Sequence, residues 1–189
     1  YHFQALFAIL KKLGEPYHED LFHLSYGMVD LPTGRMKSRE GKVVDADDLI
    51  QEVIEEARKN AVERGEIEAA TQEEREEIYH KIGMAALKFF ILKVNPKKRM
   101  IFNPEESVDM QGTTGPYIQN AYVRIQSINR KAGDLDLGIA KSYAELEDIE
   151  LDIVKKLISY SKQIQLSAEQ FDPSLLTNYC YDLAKSYHK

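Results

Sequence analysis

Six stretches of this sequence repeat apolar residues at helical spacing, each bounded by residues that start or stop a helix, which leaves little chain for a large sheet. Phe3, Leu6, Phe7 and Leu10 form the first stripe, and Gly14 ends it. Leu49, Ile50, Val53, Ile54, Ala57 and Ala61 form the second, with Asp45 or Asp47 placed to cap it. On that helix Glu55 and Lys59 stand as a favourable i,i+4 pair. Thr71 with Glu74 is a capping box for the third, which carries Ile78, Ile82, Ala85, Ala86, Phe89 and Phe90 before Asn95-Pro96 stops it. Thr114 or Gly115, with Pro116 in the first turn, opens the fourth stripe of Ile118, Ala121, Tyr122, Ile125 and Ile128. The fifth runs from about Glu147 to Leu166 with Ile149, Ile153, Leu157, Ile158 and Ile164. Asp172-Pro173 starts the sixth, which keeps Leu175, Leu176, Tyr179, Cys180, Leu183, Ala184 and Tyr187 on one face. The expected fold is mainly α with a few short strands.

Two runs read as those strands: Leu21 to Val29, expected to be buried, and Met100-Ile101-Phe102. Between the first strand and the second helix lies Gly34-Arg35-Met36-Lys37-Ser38-Arg39-Glu40-Gly41-Lys42-Val43-Val44. Its glycines let the backbone approach a ligand closely. Its Arg and Lys side chains offer donors matched to phosphate oxygens. Such a loop suits a polyphosphate whose charge grows in a transition state; a solvated basic turn is the competing reading. Lys97-Lys98-Arg99, beside the second strand, either touches RNA phosphates or is a charged loop near helix ends. Gln111, Thr113, Tyr117 and Gln119 surround a helix N-terminus, where they either contact a ligand or cap and dock the helix.

The 189 residues suffice for one domain or parts of two, and 43% of them are hydrophobic, enough for a sizeable core. A formal charge of −6 argues against a protein that coats nucleic acid generally, so a polyanion site must be a local patch. A single cysteine, Cys180, excludes a disulfide framework and reads as a buried structural thiol. His18 and His23 are isolated, the glutamates between Glu52 and Glu77 read as solvated faces, and no metal-ligand spacing is present. No apolar run is long enough to span a bilayer. Gly133 to Gly138 reads as a linker after which composition shifts. The sequence opens without Met inside a helical pattern and closes at Tyr187-His188-Lys189 inside another, so it is expected to be a piece of a larger protein.

Taken together, the motifs resemble arginyl-tRNA synthetase, a class I aminoacyl-tRNA synthetase, over nearly the whole chain. Gly34 to Gly41 is similar to that family's Lys-Met-Ser-Lys-Ser loop, and Val43-Val44 and Asp48-Leu49-Ile50 match its continuation. Gly112-Thr113-Thr114-Gly115-Pro116-Tyr117-Ile118-Gln119-Asn120-Ala121-Tyr122-Val123-Arg124-Ile125 resembles the family's Gly-Asn-Thr-Ala-Pro-Tyr-Met-Gln-Tyr-Ala-type helix. Tyr181-Asp182-Leu183-Ala184 resembles the first part of its helical anticodon-binding domain.

The resemblance implies ATP-dependent attachment of arginine to tRNA(Arg) through arginyl-adenylate, with Mg2+ accompanying the ATP, in a cytoplasmic monomer that does not enter membranes. It assigns Arg35, Lys37, Ser38, Arg39 and Lys42 to the ATP phosphates and Met36 to an apolar anchor, with Lys37, Ser38 and Arg39 nearest the chemistry. The motif's second lysine falls at Ser38, so Arg39, Lys42 or a lysine elsewhere must substitute for it. Lys97, Lys98, Arg99 and Arg124 are the expected tRNA contacts. The implied organisation is 1–44 as the tail of a Rossmann-type catalytic domain, 45–132 as a helix-rich stem-contact region, and 144–189 as the start of a helical anticodon-binding bundle. The family's His-Ile-Gly-His motif is not in these residues, so the chain alone is expected not to aminoacylate. Three alternatives stand beside this reading: a helical tRNA-binding module without catalysis, which would also use Arg130 and Lys131; an interaction protein unrelated to nucleic acid; and another class I synthetase such as the cysteinyl enzyme.

Overall fold

The computed structural model describes residues 1–32, 45–65, 70–133 and 145–189. The basic run from Gly34 to Val44 therefore lies outside the described residues, as do most of the expected 133–138 linker and residues 66–69. Helix α1 (His2–Leu13) ends at Gly14, whose φ of 77° caps it in the left-handed region. Turns and irregular chain follow as far as strand β1 (Val29–Asp30).

Strand β1 pairs in parallel with β2 (Met100–Ile101), Val29 opposite Met100 and Asp30 opposite Ile101. A parallel pair needs a long crossover. Helices α2 (Ala46–Arg64) and α3 (Gln72–Leu92) lie within it. Thr71 caps α3, its hydroxyl accepting from the Glu74 amide while the Glu74 carboxylate accepts from the Thr71 amide. Short α4 (Pro104–Ser107) follows β2, then α5 (Gly115–Ala132), α6 (Asp148–Glu169) and α7 (Pro173–Tyr187).

The core lies where α2, α3 and the segment after β2 meet. Val53, Ala57, Ala86, Leu87, Phe90, Phe102 and Val108 form one buried cluster. Phe102 is fully buried, and its ring meets Phe90 edge-on at 5.0 Å between centroids. Tyr79 and Leu87 are buried against α2, Tyr79 beside Ile54 and Ala61 and Leu87 in the main cluster, while α5 and α7 also pack on α3. At Gly115 a Cβ would lie 2.2 Å from the Ala85 carbonyl oxygen, so glycine permits the α3–α5 backbone approach.

Four expectations need correction. The run from Leu21 to Val29 is not a buried strand: pairing begins only at Val29, and Phe22, Leu24, Tyr26 and Met28 are exposed. A strand needs a partner, and β2 offers only two residues. Lys59 pairs with Glu56 at 2.6 Å rather than with Glu55, whose carboxylate takes Arg58 at 3.1 Å. Arg58 also forks onto Glu76 of α3 at 2.5 and 2.6 Å, tying the two helices. On α5, Tyr122, Ile125 and Ile128 are exposed, and Ala121 is the one buried member of the expected stripe. On α6, Ile149, Leu157, Ile158 and Ile164 are exposed, while Lys156 and Ser159 are half-buried.

Candidate nucleic-acid interface

The turn between α3 and β2 carries Lys97, Lys98 and Arg99, three of the four expected tRNA contacts. Asn95 shapes it: its side-chain oxygen accepts from the Lys97 amide at 3.0 Å and its carbonyl accepts from the Lys98 amide at 2.9 Å. That geometry leaves the Lys97, Lys98 and Arg99 side chains exposed together. The turn is pinned to the approach of β1, where the Gly27 amide donates to the Pro96 carbonyl at 2.6 Å. A Cβ at Gly27 would stand 2.1 Å from the Lys98 carbonyl oxygen, so that contact also needs glycine.

The three cations differ. Arg99 donates through Nε to the Asp30 carboxylate, which is almost fully buried on β1. Its charge is thereby committed to the strand pair, whereas Lys97 and Lys98 point outward. Lys93, which sequence reasoning passed over, lies at the base of the same turn. Its Nζ sits 4.0 Å from the Phe90 ring centroid and donates to the Thr113 carbonyl at 3.1 Å. Burial pushes its pKa down, with Glu106 opposing the shift. Arg124 belongs to a different junction: from α5 it donates to His188 Nδ1 at 2.8 Å, and the His188 ring meets Tyr117 edge-on at 4.8 Å. With Arg124 as donor, the imidazole proton is assigned to Nε2.

The N-terminus of α5 is used for docking. Thr114 caps it, accepting from the Tyr117 amide at 3.3 Å and donating to the Asp109 carbonyl. Gly115 and Pro116 are buried, and Gln119 donates to the Lys81 carbonyl at 3.2 Å. Burial raises the Tyr117 pKa, aided by Tyr181. Cys180 is half-buried and burial raises its pKa, which disfavours the reactive thiolate. Among the described residues no group of three or more His, Cys, Asp or Glu side chains could hold a metal ion, and no helix is long and apolar enough to cross a membrane. Arg35, Met36, Lys37, Ser38, Arg39 and Lys42 lie outside the described residues.

Comparison with known proteins divides the chain into two matched segments. The model for "tRNA synthetases class I (R), catalytic domain" matches residues 1–103, and that for "DALR anticodon binding domain" matches residues 118–189. The chain is 52% identical over 188 residues to an arginine–tRNA ligase of Flavobacterium psychrophilum, covering 100% of this chain and 31% of that protein. It is 45% identical over 192 residues to the arginine–tRNA ligase of Bacteroides thetaiotaomicron, covering 100% and 32%. It thus spans about a third of the length of these curated relatives. Among solved structures, Thermus thermophilus arginyl-tRNA synthetase superposes with a TM-score of 0.83 at 30% identity, covering 96% of this chain and 29% of that one. The Plasmodium falciparum arginyl-tRNA synthetase shares the fold at a TM-score of 0.79 and 23% identity, covering 99% and 31%. The first model alone spans more than half of the residues, and the chain belongs to the class I arginyl-tRNA synthetase family, a catalytic-domain segment followed by an anticodon-binding one.

Proposed function

We propose that this chain is the part of an arginine–tRNA ligase that meets the phosphates of ATP and holds tRNA(Arg). The whole reaction joins ATP and arginine as arginyl-adenylate, releases pyrophosphate, and moves the arginyl group to the terminal adenosine of the tRNA. In this reading Arg35, Lys37, Ser38, Arg39 and Lys42 neutralise charge that builds on the departing pyrophosphate, where fixed donors act most strongly. Met36 anchors the loop against apolar surface. Mg2+ accompanies the nucleotide's own phosphates and supplies further charge neutralisation there. Residues 1–44 carry the catalytic loop, 45–132 face the acceptor arm and 144–189 begin the anticodon-binding bundle. The enzyme works as a cytoplasmic monomer.

The observation that carries the RNA part is the exposed Lys97 and Lys98 pair on the α3–β2 turn, close to the end of the catalytic-domain match. The test is tRNA(Arg) binding by the chain across a salt series. Each phosphate contact contributes a slope of about 0.7–0.9 in log affinity against log salt. The double variant Lys97→Gln, Lys98→Gln should therefore lower the slope by roughly 1–2. An unchanged slope, or no binding at low salt, would count against the reading.

A further inference from the structure

The approach to the basic loop has few supports. Residues 22–28 form neither helix nor strand, and most of their large side chains face solvent. The segment is held by the Gly27 amide on the Pro96 carbonyl, the Met28 carbonyl accepting from the Met100 amide at 3.0 Å, the His23 ring stacked on Phe3 of α1 at 3.7 Å between centroids, and a second ring stack. In that stack Phe22 lies on Phe171, 4.2 Å between centroids with 15° between planes. The two residues are far apart in sequence, and Phe171 belongs to the turn between α6 and α7.

Phe171 has a φ of 51°, the one positive φ of a non-glycine residue among those described. A bulky residue there is strained and persists only where its surroundings determine it. The next residue makes a second connection. Asp172 caps α7, its Oδ1 accepting from the Ser174 amide at 3.0 Å and the Ser174 hydroxyl at 2.6 Å. Its other oxygen accepts from the Asn95 side-chain amide at 2.6 Å. Asn95 is the residue that shapes the turn holding Gly27. A cleft of about 460 Å³ opens beside these contacts, with Phe22, Asn95, Lys97 and Phe171 among its walls.

We infer that the α6–α7 turn is a latch that sets the position of residues 22–30, with Phe171 acting through Phe22 and Asp172 acting through Asn95 as positioning residues. The segment they hold runs directly into β1 and from there to the basic run. For the function proposed above, on which this consequence rests, the latch couples tRNA held by the anticodon-binding helices to the loop that meets ATP.

The test is amide hydrogen exchange on the 189-residue chain. Phe171→Ala should speed exchange at Gly27 and Met100 by about three- to tenfold, the loss expected for an aromatic pair, and leave the α2 amides unchanged. Phe171→Tyr keeps the ring and should restore the wild-type rates. Coupling is mutual, so Phe22→Ala should speed exchange at Ser174 by a similar factor. Faster exchange confined to α6 and α7, or acceleration spread evenly over the chain, would overturn the latch. Adding tRNA(Arg) should slow Gly27 exchange in the wild type and not in Phe171→Ala. Failure of tRNA to bind would remove only the functional reading, because the comparison without RNA still decides the latch.

Discussion

Phe102 and Lys156 each sit in a contact between elements, and the two places are held by different forces. Phe102 is packed among Val53, Ala57, Ala86, Leu87, Phe90 and Val108, with no solvent exposure. Lys156 lies between α6 and α7, bonded to Asp152 at 2.5 Å and to Ser186 at 2.8 Å. The Ser186 hydroxyl also donates to Asp152 at 2.6 Å, and the Tyr179 hydroxyl donates to the Lys156 carbonyl at 2.8 Å. None of the 22 residues of α6 is fully buried, and Ile158 is 77% exposed. The first region rests on volume and apolar burial, the second on directional polar bonds at a half-wet contact. The difference matters because apolar packing is insensitive to protonation, whereas carboxylate hydrogen bonds are not.

The largest contrast is expected from truncating the core. Phe102→Ala removes the ring that Phe90 meets and should destabilise the chain by about 3–5 kcal/mol in chemical denaturation. A loss below 1 kcal/mol would show that this cluster is not the main support.

Acid should act mainly on the other region. For Asp172, burial by itself would raise the pKa, but the hydrogen bonds from Ser174 and Asn95, with Lys97 nearby, bring it below the ordinary 3.8. The Asp152 carboxyl is also lowered, first by the Lys156 hydrogen bond and then by Ser186. Both groups bind protons more weakly folded than unfolded. Their contribution is therefore present above the unfolded value and lost as pH falls through the folded one. Melting followed from pH 5 to pH 3 should show α6 and α7 loosening ahead of the Phe102 cluster. Asp172→Ala removes the cap and the Asn95 bridge, should cost about 0.5–2 kcal/mol at neutral pH, and should flatten the acid loss. Simultaneous loss of both regions with an unchanged acid profile would erase the distinction.

The smallest effect belongs to the exposed stripe. Ile158→Ala should change stability by no more than about 0.5 kcal/mol, as expected of a solvent-facing side chain. A cost above 2 kcal/mol would mean that this face is covered in solution.

These regions also differ in how far they could be read from the sequence. The Thr71–Glu74 box, Thr114 or Gly115 ahead of Pro116, and Asp172 ahead of Pro173 are local signals; all three caps form, with Thr114 rather than Gly115 capping α5. Helix α4 has the same kind of start, Asn103 ahead of Pro104, but its four residues are too short to show a period. The α6 stripe was legible as helical, yet periodicity alone cannot say which face meets a neighbour. Here the half-buried face includes Lys156 and Ser159. At the candidate interface, the basic character of Lys97-Lys98-Arg99 was visible. That Arg99 serves Asp30 was not, because the pair depends on β1 lying beside β2 across a crossover of two helices. The Phe22–Phe171 stack is hidden because it depends on the α6–α7 turn lying against the approach to β1.

The proposed tRNA(Arg) interface joins the exposed lysine turn to the α6–α7 region. The most direct measurement is a hydrogen-exchange footprint of the chain with tRNA(Arg), set against the same amount of a tRNA for another amino acid. Protection is expected at Lys97 and Lys98 and along α6 and α7, stronger for tRNA(Arg), with the α2 amides near Val53 and Ala57 unchanged. Equal protection by both tRNAs, or a footprint that misses the lysine turn, would contradict it.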